Sequence, residues 1–243
     1  MAQRADLLLV ERGLFESRAK ARAAIEAGLV KVDGVALKKP SEALRDDAVI
    51  EAQAAHPWVS RAGVKLVGGL DHFRINPHAR ICMDVGSSTG GFTQVLLSRG
   101  AASVYAVDVG RDQLHATLRA DPRVKVMEAT DARNLTRLRV PDAPSLIVCD
   151  ASFISLRLVL PVPLSLACGD ADLIALIKPQ FEAGPERVKK GIVRDASVHD
   201  EVCNTIRLFI ETQGWKVSGM IPSPIEGVDG NREFLLHAKK VHS

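Results

Sequence analysis

The chain has 243 residues, 47% of them hydrophobic and 4% aromatic, with a formal net charge of +3. That length holds one large domain and a small one, and the apolar fraction is ample for a core. So few aromatics argue against a dominant base-stacking surface, and so small a charge does not by itself announce a nucleic-acid partner; local clustering must carry that argument.

The cysteines Cys82, Cys149, Cys168 and Cys203 form no Cys-x-x-Cys pair and have no histidine at metal-binding spacing. They read as free thiols in a reducing cytoplasm, with no zinc. No secretion signal is visible, because Met1–Asp6 runs straight into a charged amphipathic pattern. The longest apolar region, Ile154–Cys168, is interrupted by Arg157, Pro161 and Pro163 and is too short to span a bilayer. A cytoplasmic protein without a membrane segment is expected.

Residues Arg4 to about Gln53 read as a separate unit, and the expected division is 1–53, a linker at 54–60, and 61–243. Asp6–Arg12 supplies Leu7, Leu8 and Val10. Ser17 is a good N-cap for a helix over Ala19–Ala27, which Gly28 closes. Leu29-Val-Lys-Val-Asp-Gly-Val-Ala-Leu37 then reads as a strand, a turn at Asp33-Gly34, and a returning strand. From Arg18 to Lys39 six basic residues stand against two acidic ones, a pattern that a solvated helix face would also give. The stretch Leu14-Phe-Glu-Ser-Arg-Ala-Lys-Ala-Arg-Ala-Ala-Ile-Glu-Ala-Gly-Leu-Val-Lys-Val-Asp-Gly34 is very similar to the S4 RNA-binding domain. The resemblance implies a small N-terminal α/β domain that presents Arg18, Arg22 and Lys31 to structured RNA, with Arg4 and Lys20 as further candidates. Lysine and arginine contacts to phosphate position such a module, and duplex RNA is read largely by shape.

Ala52–Val59 is the expected linker, with Pro57 biasing His56 away from helix. Trp58 reads as a packing anchor. Ser60–Leu70 follows as an amphipathic helix with Val64, Val67 and Leu70 inward, and Lys65 could there be simply exposed.

Arg80–Val85 reads as a buried parallel strand that ends in a carboxylate, Asp84. A turn, Gly86-Ser-Ser-Thr-Gly-Gly91, and a helix from Phe92 complete the opening of a nucleotide-binding α/β domain. The turn departs from Gly-x-Gly-x-x-Gly: Ser88 occupies the second glycine and crowds a pyrophosphate, and Asp84 would repel one. Both features disfavour a dinucleotide oxidoreductase and suit a ligand that carries a cation. Asp84-Val-Gly-Ser-Ser-Thr-Gly-Gly-Phe92 resembles motif I of the S-adenosylmethionine-dependent methyltransferases of the FtsJ type. That resemblance implies a Rossmann-like class I fold with a mixed seven-stranded sheet. It also implies cofactor contacts from Asp84, Gly86, Ser87, Ser88, Gly90, Gly91 and Phe92.

Further βα units follow. Ser103–Val107 is a strand ending at Asp108, 22 residues after Gly86, where an acid commonly accepts hydrogen bonds from ribose hydroxyls. Asp108 could also cap a helix over Gln113–Ala120. Val124–Met127 is a third strand. By the same resemblance Asp131 contacts the adenine amino group, although it could equally be a helix cap. Ser145–Cys149 and Asp172–Ile177 are the fourth and fifth strands, with a helix over Leu158–Ala167 between them. The loop Glu182–Asp195 is long and basic, and its Lys189 and Lys190 are RNA-contact candidates. A helix over Ala196–Gln213 and strands at Trp215–Ile221 and Glu233–Lys239 complete the chain.

Asp84, Asp108, Asp150 and Lys178 all fall at carboxyl ends of predicted strands, where α/β sheets bind ligands. A ribose hydroxyl is a weak acid and needs a base, close approach and in-line geometry to a sulfonium methyl. Lysine serves as a base once its pKa is lowered. Lys65, Asp150, Lys178 and Glu233 match the Lys-Asp-Lys-Glu tetrad of ribose 2′-O-methyltransferases. The resemblance makes Lys178 the base and gives the other three residues supporting roles. Together with the S4-like segment, Val59-Ser-Arg-Ala-Gly-Val-Lys-Leu66, Asp150-Ala-Ser-Phe-Ile-Ser155, Ile177-Lys-Pro-Gln-Phe181 and Asp229-Gly-Asn-Arg-Glu-Phe234 resemble the TlyA family over nearly the whole chain. Membership implies S-adenosylmethionine-dependent 2′-O-methylation of cytidine in ribosomal RNA, with ribosomal subunits as the partner and no metal. The competing readings are a non-catalytic RNA-binding assembly factor and a membrane-active hemolysin. The intact tetrad opposes the first; the second needs a secretion signal or lytic segment, and neither is visible.

Overall fold

The computed structural model describes residues 2–227 and 230–241. Asp229, part of one quoted motif, lies outside the described residues. The chain divides into two compact units, Met1–Arg61 and Ala62–Ser243.

The first unit runs β1 (Ala2–Arg4), α1 (Ala5–Glu11), α2 (Arg18–Glu26), β2 (Val30–Val32), β3 (Val35–Ala36), β4 (Ala43–Arg45) and β5 (Ile50–Ala52). Ser17 caps α2 as expected, its hydroxyl accepting from the Lys20 amide at 3.3 Å. The β2–β3 turn has both central residues left-handed, Asp33 at φ +50° and Gly34 at +80°. This matches the twist of a two-residue hairpin. β5 pairs with the other edge of β2, and β1 pairs antiparallel with β4. Leu8, Leu9, Phe15, Ala24, Ile25 and Val30 are at the centre of this unit's core.

The second unit runs α3 (Ala62–Phe73), β6 (Ile81–Val85), α4 (Gly91–Ser98), β7 (Ser103–Val107), α5 (Ala116–Arg119), β8 (Val124–Met127), β9 (Leu146–Cys149), α6 (Leu156–Val159), α7 (Pro161–Leu166), β10 (Asp172–Ile177), α8 (Ala196–Thr212), β11 (Trp215–Pro222) and β12 (Phe234–Lys240). Its sheet has the order β11-β12-β10-β9-β6-β7-β8, parallel from β10 to β8, with β12 antiparallel to both its neighbours. This is the mixed seven-stranded sheet expected. β9 and β10 are buried at every position, which fits strands covered on both faces. From β6 the chain moves outward through β7 and β8, then returns to the other side of β6 as β9. The order therefore reverses between β6 and β9, and ligands sit beyond the carboxyl ends at such a point.

Three helices differ from expectation. α3 buries Gly63, Lys65, Leu66, Gly69 and Leu70, while Val64 and Val67 are only half-buried. Lys65 is therefore buried rather than exposed. α5 is a single turn capped by His115, because Glu128 takes the amides of Asp112, Gln113 and Leu114. Asp108 caps no helix there. The helix expected over Leu158–Ala167 is two short ones, with Pro161 opening the second; proline has no amide to continue the first.

Among the described residues no helix is long and apolar enough to cross a membrane, and no group of three His, Cys, Asp or Glu side chains could hold a metal ion.

Candidate functional site

The candidate site begins at the turn between β6 and α4. Gly86 has φ +83°, and a Cβ there would stand 2.9 Å from the Ala151 backbone. The turn thus packs directly against the chain leaving β9, which only glycine permits. Gly90, at φ +97°, is the N-cap of α4, and Gly91 is that helix's first residue. Ser88, where a second glycine would stand, is also left-handed at φ +45°. Its amide donates to Asp108 Oδ2 at 2.8 Å, and the Gly110 amide donates to Asp108 Oδ1 at 2.7 Å. Asp108 therefore ties the first turn to the exit of β7 and keeps one lone pair on each oxygen. Phe92 is a core residue, 2% exposed.

Asp84 is fully buried. Its Oδ2 accepts from Thr93 Oγ1 at 2.7 Å, while its Oδ1 has no hydrogen-bond partner among the described residues. Burial pushes its pKa up to about 7, against the lowering effect of the Thr93 hydrogen bond. Ser87 Oγ is likewise buried without a partner. Unsatisfied buried acceptors are costly and call for an explanation. An ammonium group from a ligand would satisfy both.

Asp131 follows β8. It caps a short 3₁₀ turn by accepting from the Arg133 amide at 2.9 Å, and it pairs with the Arg133 guanidinium at 2.6 Å. Those bonds, led by the Arg133 side chain, hold its pKa below the usual carboxylate range.

The lysines and their acids meet on the other side of the sheet's reversal. Ile177 on β10 pairs with Phe234 on β12, so Lys178 and Glu233 are the next residues along the two strands, at the same end of the sheet. Lys178 Nζ lies 2.6 Å from Asp150 Oδ1, an ion contact without hydrogen-bond alignment. It donates to Ser152 Oγ at 2.7 Å and to the Asp150 carbonyl at 3.2 Å. Lys65 Nζ donates to Glu233 Oε2 at 2.6 Å, with side chains only 10% and 3% exposed. Buried ions that are paired in this way are expensive to desolvate and serve function more readily than stability. The four tetrad candidates thus form two pairs, Lys178 with Asp150 and Lys65 with Glu233.

Two features escaped the sequence reading. Ser152 is invisible as a Lys178 partner because the contact depends on how the β9 exit folds back. Phe153 is 91% exposed at φ +64°, its ring 5.1 Å from that of Phe181. A bulky side chain rarely takes that backbone conformation.

In the first unit, Arg4 and Arg18 converge on the buried Asp6. Lys20 pairs with Glu16 at 2.5 Å, and Arg22 lies 3.7 Å from Glu26. Lys31 is exposed on β2. In the second unit, Lys189 and Lys190 are exposed, and Lys189 bridges to Ile192.

Both units resemble known proteins. A family model of the FtsJ-like methyltransferases matches residues 58–240, and one of the S4 domain matches residues 3–50. The chain is 44% identical over 241 residues to the 16S/23S rRNA (cytidine-2'-O)-methyltransferase TlyA of Mycobacterium tuberculosis, covering 97% of this chain and 90% of that one. It is 40% identical over 236 residues to Hemolysin A of Brachyspira hyodysenteriae, covering 96% and 98%. A solved structure from Streptococcus thermophilus that carries a hemolysin name superposes with a TM-score of 0.80 at 41% identity, covering 100% of this chain and 90% of that one.

Proposed function

The chain belongs to the TlyA family of FtsJ-like methyltransferases, and from that premise we propose that it methylates the 2′-hydroxyl of a cytidine in ribosomal RNA, using S-adenosylmethionine. The observation that carries the reading is the pair of buried lysine–carboxylate contacts, Lys178–Asp150 and Lys65–Glu233, at one end of the sheet beside the glycine turn.

The bound cofactor supplies an electrophilic methyl group on a sulfonium. The chain supplies the rest. Asp84 Oδ1 and Ser87 Oγ offer unsatisfied acceptors to the cofactor's ammonium group. Asp108 offers its remaining lone pairs to ribose hydroxyls. Asp131 is assigned to the adenine amino group, sharing its carboxylate with Arg133. Lys178, unprotonated at that moment, takes the proton of the 2′-hydroxyl as its oxygen becomes the nucleophile. Asp150 and Ser152 hold Nζ in place. Lys65, paired with Glu233, positions the ribose. RNA is gathered by the first unit through Arg4, Arg18, Lys20, Arg22 and Lys31, and by Lys189 and Lys190. The place of action is the cytoplasm, where ribosomes are made.

The test is transfer of a tritiated methyl group to ribosomal subunits from cells that lack the enzyme, followed by mapping of alkali-resistant 2′-O-methyl positions. A new methyl on a cytidine ribose in either subunit supports the proposal. Tight subunit binding without transfer would leave the assembly-factor reading in its place. No binding, together with lysis of erythrocytes, would favour the hemolysin.

A further inference from the structure

Asp6 stands in the first turn of α1 with its carboxylate fully buried. Arg4 donates to it from Nε to Oδ1 at 3.0 Å and from Nη2 to Oδ2 at 3.1 Å. Arg18, the first residue of α2, donates from Nε and Nη2 to Oδ2 at 3.3 and 2.9 Å. The arginine side chains are 48% and 55% exposed. One buried anion therefore holds two half-exposed cations side by side around a single oxygen. These bonds, the Arg4 hydrogen bond first, keep the Asp6 pKa down at about 2 despite burial, so the anchor is charged at neutral pH.

The edge used matters. Each guanidinium spends its Nε–Nη2 edge on Asp6, and no partner for Nη1 is found among the described residues. The outward edge of each fork thus stays available, and a fork of that shape matches a phosphate. A free arginine must give up rotamer freedom to grip a phosphate. An arginine already fixed on a carboxylate has given it up on folding, so binding costs less.

We propose that Asp6 is a positioning residue for RNA, holding Arg4 and Arg18 as a two-pronged clamp for backbone phosphates. The proposal rests on the reading of this unit as an RNA-binding module. It makes a prediction of unusual sign. Asp6→Asn raises the net charge by one, so electrostatics alone would tighten RNA binding. Loss of the clamp weakens it.

The experiment titrates intact 30S and 50S subunits with the full-length protein across a salt series. For Asp6→Asn the expected result is binding about tenfold weaker, the scale of one charge-assisted contact, with a flatter salt slope. KM for the subunit should rise, while kcat at saturation and S-adenosylmethionine affinity stay unchanged. Asp6→Glu should restore part of the affinity, and Asp6→Asn should add little to Arg4→Gln with Arg18→Gln. Wild-type or tighter binding by a folded Asp6→Asn protein overturns the proposal. If that variant does not fold, Arg4→Lys with Arg18→Lys decides: charge is kept and the fork is lost, so undiminished affinity overturns it equally. Failure of the wild-type chain to bind either subunit would instead remove the RNA-binding reading beneath it.

Discussion

Lys178 Nζ is surrounded by three oxygens, from the Asp150 carboxylate, the Asp150 carbonyl and Ser152. These contacts fix where the amine stands. Lys178→Ala is expected to lower turnover by about 10²–10⁴-fold, the usual weight of a general base, with cofactor affinity nearly unchanged. Initial rates with labelled cofactor and calorimetry check both halves, and near wild-type turnover would remove Lys178 as the base. Asp84 makes a pH prediction. Its folded pKa of about 7 stands above the ordinary 3.8, so its contribution to stability is present below the ordinary value and is lost as pH rises through about 7. A cationic ligand reverses this preference. The uncomplexed protein should therefore lose stability from about pH 4 to pH 7, while cofactor affinity grows from pH 6 to pH 8 with proton release. Asp84→Asn should flatten both trends. Calorimetry in buffers of different ionisation enthalpy measures the released proton, and a pH-independent affinity would refute the assignment.

At the scale of elements, the turn from β6 to α4 is constrained twice, by its left-handed backbone and by the neighbouring exit of β9. Gly86→Ala should destabilise the fold by about 1–3 kcal/mol and weaken cofactor binding. Gly28→Ala, at φ +72° with nothing within 4 Å, is the control, costing about 1–2 kcal/mol for the backbone alone. Urea denaturation of both variants, with cofactor titration, separates the steric share from the conformational one. This turn was legible in the sequence because its signal is local: an apolar run, a carboxylate and spaced glycines within a dozen residues. The strands of the large sheet were legible for the same reason. The inward face of α3 was legible only at Leu70. Val64 and Val67 are more apolar than Lys65, yet Lys65 is the buried one, because its partner Glu233 lies 168 residues away. The short strands β1, β4 and β5 have three residues each, too few for a period to register. The Asp6 cluster was hidden because Arg4 and Arg18 drew notice as cations, and nothing local marks the acid between them.

At the scale of the whole molecule, the two units are assigned different ligands, and the structure changes how that division should be tested. Reversing Arg18 would set a glutamate against buried Asp6 and damage the fold. Arg22 and Lys31 are better targets, since Arg22 has only a loose 3.7 Å contact with Glu26 and Lys31 is exposed. Arg22→Glu with Lys31→Glu should weaken subunit binding and flatten its salt dependence, with cofactor affinity unchanged. Full subunit affinity in that variant would take these two residues out of the RNA surface. The placement of β12 has a consequence for how the protein comes into being. β6, β7 and β8, with the turn, Asp108 and Asp131, lie within one stretch of 51 residues, 81–131. β12 is the last strand in the chain, yet it sits between β10 and β11 and brings Glu233 to Lys65. A growing chain therefore carries the residues proposed for the cofactor well before Glu233, whose approach to Lys65 is a closure over long sequence distance and intrinsically slow. On the proposed assignment, synthesis thus has a built-in order: the residues offered to the methyl donor are made first, and the Lys65–Glu233 pair closes only once β12 has been made.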